Sequence, residues 1–249
     1  MNKVIELKEI SVQYNNKSDL ILKDINLDIF QGELVAIIGP SGVGKSTLFK
    51  IIINSLRPVK GQAKVFDKDI LKFNKKQKRL FISKIGFLTQ TPNLIYTDNV
   101  YNNIIRSTSK YKNNFYKFFS ILTRKQKIAI FEKLDELNIL DKAFFKVSEL
   151  SGGQQQRVEI AKLLIKDVEL ILADEPTSNL DKKTSIEVLK VLKNISKQNK
   201  TILVNIHDLS LVKRYFDRVI AINNKQIVFD KKTKDIKQWQ LDRIIKSRS

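Results

Sequence analysis

The chain has 249 residues, 42% of them apolar, which is enough for one large folded domain or two small ones and argues against a disordered chain. It contains no cysteine, which excludes a disulfide framework and a thiolate metal site. The net charge of +20 brings nucleic acid or an anionic membrane into view as partners. Lysine far outnumbers arginine, however, and is scattered through every segment. That pattern argues for a charged surface rather than a specific nucleic-acid groove. It remains compatible with weak attraction to anionic lipid head groups. The opening MNKVIELKEI has no uninterrupted apolar stretch, so no signal peptide is expected. No apolar run approaches the ~18 residues of a membrane span. A soluble, cytosolic chain is expected.

The first elements read as short strands. KVIELKEISVQY and ILKDINLDIF alternate apolar and polar residues. GELVAIIG is almost continuously apolar and ends in glycine, which predicts a strand buried on both faces. A helix is predicted from about Ser46 to Asn54, then strands in GQAKVFDKDI and KIGFLTQ. From about Pro92 to Lys166 the chain reads mainly as helices. Ile128, Phe131, Leu134 and Leu137 recur there at helical spacing and are expected to form one apolar face. Strands and helices then alternate: VELILAD, a helix over about 182–197, KTILVNIH, a helix from about Ser210, RVIAIN and KQIVFD. Such alternation predicts a largely parallel α/β sheet. A final helix over about 234–246 is expected to be amphipathic, with Trp239 as its packing anchor.

Chemistry concentrates in GPSGVGKST. Gly39, Pro40, Ser41, Gly42, Val43, Gly44, Lys45, Ser46 and Thr47 complete a G-x-x-x-x-G-K-[ST] loop between an apolar strand and a helix. Backbone N–H groups in such a loop wrap phosphates, and the helix N-terminus adds its dipole. Lys45 supplies a point charge for the β- and γ-phosphates, and the Ser46 hydroxyl is a hard ligand for Mg²⁺. A nucleoside triphosphate is the expected ligand. LILADEP supplies the acidic partners: Asp174 to hold Mg²⁺ through water and Glu175 to polarise an attacking water.

One stretch stands apart. LSGGQQQR, from Leu150 to Arg157, has two glycines at a helix start but no catalytic side chain. The phosphate loop, LSGGQ, LADEP, SNLD and a late histidine, in this order, resemble the nucleotide-binding subunits of ABC transporters. The resemblance covers the whole chain. It implies a P-loop ATPase fold: a parallel-sheet α/β core, an N-terminal antiparallel β subdomain and an inserted helical subdomain at about 92–166, all in one domain over 1–249. It also implies further site residues. Tyr14 would stack on adenine. Gln90 would contact Mg²⁺ and the attacking water and act as a hinge into the helical subdomain; Thr89 precedes it where the family usually has phenylalanine. His207, the single histidine, would bond the γ-phosphate. Ser151, Gly152, Gly153, Gln154 and, from SNLD, Asp181 would complete the ATP site of a partner subunit. Glu159 and Lys162 replace the family's alanine and arginine and are expected on a solvated helix face.

The triple glutamine and the segment from Asn205 to Asp230 look like phosphonate-import ATPases, as does the segment from Phe115 to Leu150. The resemblance therefore implies an ATP- and Mg²⁺-dependent ATPase on the cytoplasmic face of the membrane. It would form a head-to-tail homodimer with two ATP molecules at the interface, coupled to separate permease chains and a solute-binding protein. ADEPTSNLD also resembles lipoprotein-release and macrolide-export ATPases, although those usually carry VTHD where this chain has VNIHD. A non-transport ABC protein acting on ribosomes or nucleic acid is a third reading, disfavoured because the chain holds a single uninterrupted cassette.

Overall fold

The computed structural model describes residues 2–15, 19–107, 122–237, 239–241 and 244. Strands β1 (Lys3–Val12) and β2 (Leu22–Phe30) pair antiparallel, and β1 pairs on its other edge with β4 (Lys60–Val65), which continues into the short β5 (Lys68–Asp69). The sheet order is β2-β1-β4-β5. The alternation in β1 breaks at Lys8 and Glu9, both exposed, where the register with β2 shifts and Glu9 adopts φ 50°. This is a bulge: one extra residue lets Ile10 point inward again after Leu7.

The second sheet has the order β10-β9-β3-β8-β7-β6. Its members are β3 (Leu34–Ile38), β6 (Ile85–Leu88), β7 (Leu170–Asp174), β8 (Thr201–Asn205), β9 (Arg218–Asn223) and β10 (Gln226–Lys232). All pairings are parallel except β9 with β10. The continuous apolar run in β3 has a direct cause. Val35 and Ile37 join one core with Leu48, Phe49 and the first sheet, while Leu34, Ala36 and Ile38 join a second core on the opposite face. Each buried aliphatic side chain contributes roughly 1.5–3 kcal/mol. Because β3, β7 and β8 run parallel, their carboxyl ends emerge on one side of the sheet, where ligands of such folds bind. Helix α1 (Lys45–Ile52) follows β3 directly, and α2 (Lys75–Ile82) precedes β6.

Between β6 and β7 the described residues include three α-helices joined by loops: α3 (Val100–Ser107), α4 (Arg124–Glu136) and α5 (Gly152–Lys166). The part of the import-like segment at 108–121 lies outside the described residues. The expected face of α4 is out of phase. Ile128 is 47% exposed, whereas Ile130, Leu134 and Leu137 are buried and Phe131 stacks on Tyr101 at 5.3 Å. A strict three-residue spacing drifts about 60° backward per step, so Ile128 and Leu137 end on opposite sides of the helix. The buried stripe is the i, i+4, i+7 set instead.

Helices α6 (Lys182–Ser196) and α7 (Leu209–Tyr215) complete the second core. At the C-terminal end a short 3₁₀ turn spans Thr233–Asp235, and parts of the expected final helix lie outside the described residues. Trp239 is not the anchor: it is 56% exposed, and Ile236, Leu241 and Ile244 are buried in its place. One indole on an amphipathic stretch does not reveal which side the neighbours cover. Among the described residues no helix is long and apolar enough to cross a membrane.

Candidate active site

The phosphate loop turns through Gly44, the N-cap of α1, at φ 109°. A side chain there would be strained and would press its Cβ to 2.7 Å from Leu22 Cδ2. No acidic residue occupies the first turn of α1 and no side chain caps it, so its N-terminal dipole faces the loop unopposed. Lys45 is buried and its Nζ donates to Gly39 O at 2.8 Å and Pro40 O at 2.9 Å, which holds the ammonium inside the curve of the loop. Two residues along, Thr47 Oγ1 lies 3.1 Å from the Tyr14 hydroxyl, and the Lys50 ammonium sits 5.2 Å over the Tyr14 ring. Tyr14 thus stands just beyond β1 with its ring largely exposed beside the loop.

Two polar pairs meet at the carboxyl ends of β7 and β8. Ser46 Oγ donates to Asp174 Oδ1 at 3.1 Å, and Asn205 Nδ2 donates to the same oxygen at 2.6 Å. Asn205 stands opposite Asp174 in the parallel register and is fully buried, with its Oδ1 lacking a hydrogen-bond partner. Beside them His207 Nε2 lies 2.6 Å from Glu175 Oε1. Imidazole and carboxylate at this distance can share or pass a proton. Glu175 adopts φ 55°, and its N–H donates to Asn205 O at 3.2 Å. A non-glycine residue held in the left-handed region costs of order 1 kcal/mol or more, the kind of strain that concentrates at functional sites.

Gln90 is placed differently. Its Nε2 donates to Asn179 Oδ1 at 3.0 Å, so its side chain is turned to SNLD rather than to the Ser46–Asp174 pair. The loop around it is held by α5. Gln156 Nε2 donates to Thr89 O at 3.1 Å, Glu159 Oε1 accepts from Asn93 N–H at 2.9 Å, and Lys162 Nζ donates to Asn93 O at 2.5 Å. Glu159 is therefore buried and not on a solvated face, and burial pushes its carboxyl above the usual range. Lys162 is half-buried, and burial pulls its ammonium below the usual lysine range. The expectation failed because the Gln90 loop covers this face of α5.

The signature segment begins α5 at Gly152. Ser151 is the N-cap: its Oγ accepts from Gln154 N–H at 3.3 Å, and Gln154 Oε1 accepts from Ser151 N–H at 2.9 Å. A Cβ on Gly153 would lie 2.1 Å from Thr184 Cγ2, and one on Gly152 would lie 2.9 Å from Leu180 Cδ2. Asp181 caps α6, accepting from Thr184 N–H at 3.0 Å and from its hydroxyl, and these bonds hold its carboxyl below the usual range. SNLD and the signature helix are therefore packed side by side within one chain.

The family model described as ABC transporter matches residues 22–178. The chain belongs to the ABC transporter family. It is an ABC ATPase, an enzyme that binds and hydrolyses ATP. It is 38% identical over 244 residues to "Probable ABC transporter ATP-binding protein p29" of Mesomycoplasma hyorhinis, covering 98% of this chain and 97% of that protein. It is 39% identical to "Phosphonates import ATP-binding protein PhnC" of Lactococcus lactis subsp. cremoris, with 97% and 98% covered. Among solved structures, cbiO1 from Clostridium perfringens, part of the ABC transporter complex cbiONQ, superposes with a TM-score of 0.83 at 27% identity, covering 94% and 90% of the two chains. The dimeric post-hydrolysis cassette MJ0796 bound to ADP and Pi superposes at 0.74 with 30% identity, covering 93% and 100%. The ABC ATPase fold accounts for both sheets and for the helices between β6 and β7. Reading the sequence by motif missed Asn205, Asn179 and Gln156. Only Asn205 carried a local signal, a polar residue closing the apolar strand TILVN.

Proposed function

We propose that this chain is the ATP-hydrolysing subunit of an importer for a phosphonate or a chemically related solute. The observation that carries the catalytic part is the meeting of two pairs, Ser46–Asp174 and Glu175–His207, at the mouth of the phosphate loop. The import part is supported by relatives named for phosphonate import that align over nearly the whole chain at 34–39% identity.

ATP would lie with its phosphates on the backbone N–H groups of Ser41 to Ser46 and on Lys45, and with its base against Tyr14. Glu175 would accept the proton of the attacking water, with His207 orienting that carboxylate and reaching the γ-phosphate. Mg²⁺ fits the donor set. Ser46 Oγ and the Asp174 carboxylate are adjacent hard oxygens, and Asn205 fixes the carboxylate. Among the described residues no three His, Asp or Glu side chains form a metal cage, so phosphate oxygens and water would complete the coordination. Bound there, the cation would neutralise phosphate charge. Gln90 would join it after exchanging its bond to Asn179.

Ser151, Gly152, Gly153, Gln154 and Asp181 would face the γ-phosphate held by a second copy, as two ATP molecules close a head-to-tail dimer. ATP favours the closed form and ADP does not, so hydrolysis reopens it. Separate permease chains on the membrane and a solute-binding protein would use this motion. Residues 92–166 would transmit it.

The test is ATP turnover by the reconstituted complex with and without phosphonate-loaded binding protein. Phosphonate is expected to raise turnover severalfold. Glu175→Gln is expected to lower it at least ~10²-fold while ATP binding is kept. Turnover in Glu175→Gln within a few-fold of wild type would remove Glu175 from the base role. Turnover indifferent to phosphonate would remove the solute assignment.

A further inference from the structure

We propose that the outer face of α2, with the apolar hollow beside it, is a contact surface for an anionic membrane. Between Asp67 and Lys84 there are seven lysines and arginines against two aspartates, a net +5 in 18 residues, several times the density of a chain that carries +20 over 249. This excess is not spent on the ATP site.

The helix has a fixed inner side. A capping box joins Asn74 and Gln77, Phe81 is buried with its ring 5.3 Å from Phe73, and Lys78 Nζ donates to Asn54 O at 2.6 Å. At about 100° per residue, the side opposite Phe81 carries, in angular order, Ile82, Lys75, Arg79, Lys76 and Leu80. All five are exposed, Leu80 at 62% and Ile82 at 38%. A strip of three cations is thus flanked on both sides by aliphatic side chains.

The acidic neighbours do not neutralise the strip. Asp69 pairs with Lys72 at 3.3 Å and Glu169 with Lys84 at 2.6 Å. Next to Leu80 lies a hollow of about 170 Å³, lined by Phe66, Phe73 and Phe81 and rimmed by Lys68 and Lys84. Lys84 Nζ sits 5.5 Å over the Phe66 ring.

Cations beside exposed aliphatics on one helix face match the charge and depth profile of an anionic lipid surface. The head groups meet the ammonium groups and the aliphatics enter the boundary. A nucleic-acid surface would call for arginine and free aromatic faces, and this strip has a single arginine and no aromatic. The subunit would therefore touch the bilayer directly, in addition to any permease contact.

The test is co-sedimentation of the full chain with vesicles of phosphatidylglycerol and phosphatidylcholine, against phosphatidylcholine alone. Binding to the anionic vesicles is expected, weakened by salt. Lys75→Glu, Lys76→Glu and Arg79→Glu together should weaken it at least ~10-fold. The control Lys231→Glu, Lys232→Glu and Lys234→Glu makes the same charge change on exposed residues around β10 and should weaken it less than ~3-fold. Leu80→Ser with Ile82→Ser should also weaken binding while leaving its salt dependence. ATP turnover should stay unchanged in all three variants, which checks their folding. Equal losses in the two triple variants would reduce the effect to overall charge and overturn the proposal. So would no binding by the wild type, or a strip that captures RNA or acidic peptide but not vesicles.

Discussion

Glycines open helices at two places in this molecule, and they are there for different reasons. In the phosphate loop Gly39, Gly42 and Gly44 adopt φ 154°, 80° and 109°, so the backbone conformation itself demands glycine. In the signature segment Gly152 and Gly153 are ordinary helical residues, and what they supply is space: a Cβ would run into Leu180 and Thr184 of the same chain. One set shapes a cradle. The other lets the signature helix seat against SNLD, so that a segment proposed to serve a partner's ATP is positioned by its own neighbours.

The largest expected effect separates conformation from crowding inside the cradle. In Gly39→Ala a Cβ would lie 2.2 Å from Ile222 O, a backbone atom that cannot step aside, whereas Gly42→Ala meets nothing within 4 Å. Gly39→Ala should cost at least ~3 kcal/mol in urea unfolding, combining strain and overlap. Gly42→Ala should cost only about 1 kcal/mol, from its positive φ alone. Equal costs would mean that φ alone governs both positions.

A smaller effect tests the other side of the contrast. Gly153→Ala should lower ATP turnover and stability by about 1–3 kcal/mol through overlap with Thr184 Cγ2. Thr184→Ser removes that methyl and keeps the hydroxyl that donates to Asp181. If crowding is the cause, adding Thr184→Ser to Gly153→Ala restores most of the loss. If turnover stays low while stability recovers, the glycine is needed for close approach to phosphate, and the packing account is incomplete.

The two regions also differ in how far their sequences could be read. The cradle, Asp174, Glu175 and His207 are each a strand end followed by a turn, and both the apolar run and the polar residues ending it are local signals. The parallel sheet was legible for the same reason. Gln156 and Asn179 were not, because their bonds to Thr89 and Gln90 span 67 and 89 residues. Glu159, Ile128 and Trp239 were placed wrongly for a related cause. Periodicity tells which residues share a helix face, but not which face another segment will cover.

The smallest effect concerns what each helix buries. Lys45 in α1 is buried with its ammonium bonded to two carbonyls, whereas Glu159 in α5 is buried with Oε1 bonded and Oε2 without a partner. Burial raises the Glu159 carboxyl above its ordinary value of 4.5, against the smaller opposing pulls of the Asn93 N–H, Lys162, the Thr89 backbone and Lys166. Between that value and the raised one, the folded chain holds a proton that the unfolded chain releases. Stability therefore falls as pH rises through this window. Glu159→Gln keeps an oxygen for Asn93 N–H and removes the charge, and Lys162 keeps its bond to Asn93 O. The variant should melt higher than wild type at pH 7.5, by roughly 2–4 °C for each kcal/mol gained in a chain of this size. Most of the gain should be gone at pH 4, where Glu159 is largely protonated in both states. A variant that instead melts lower than wild type at pH 7.5, with the deficit fading at pH 4, would show that the carboxylate is stabilised as an ion. The clamp on the Gln90 loop would then be an ion-pair lock rather than a strained burial.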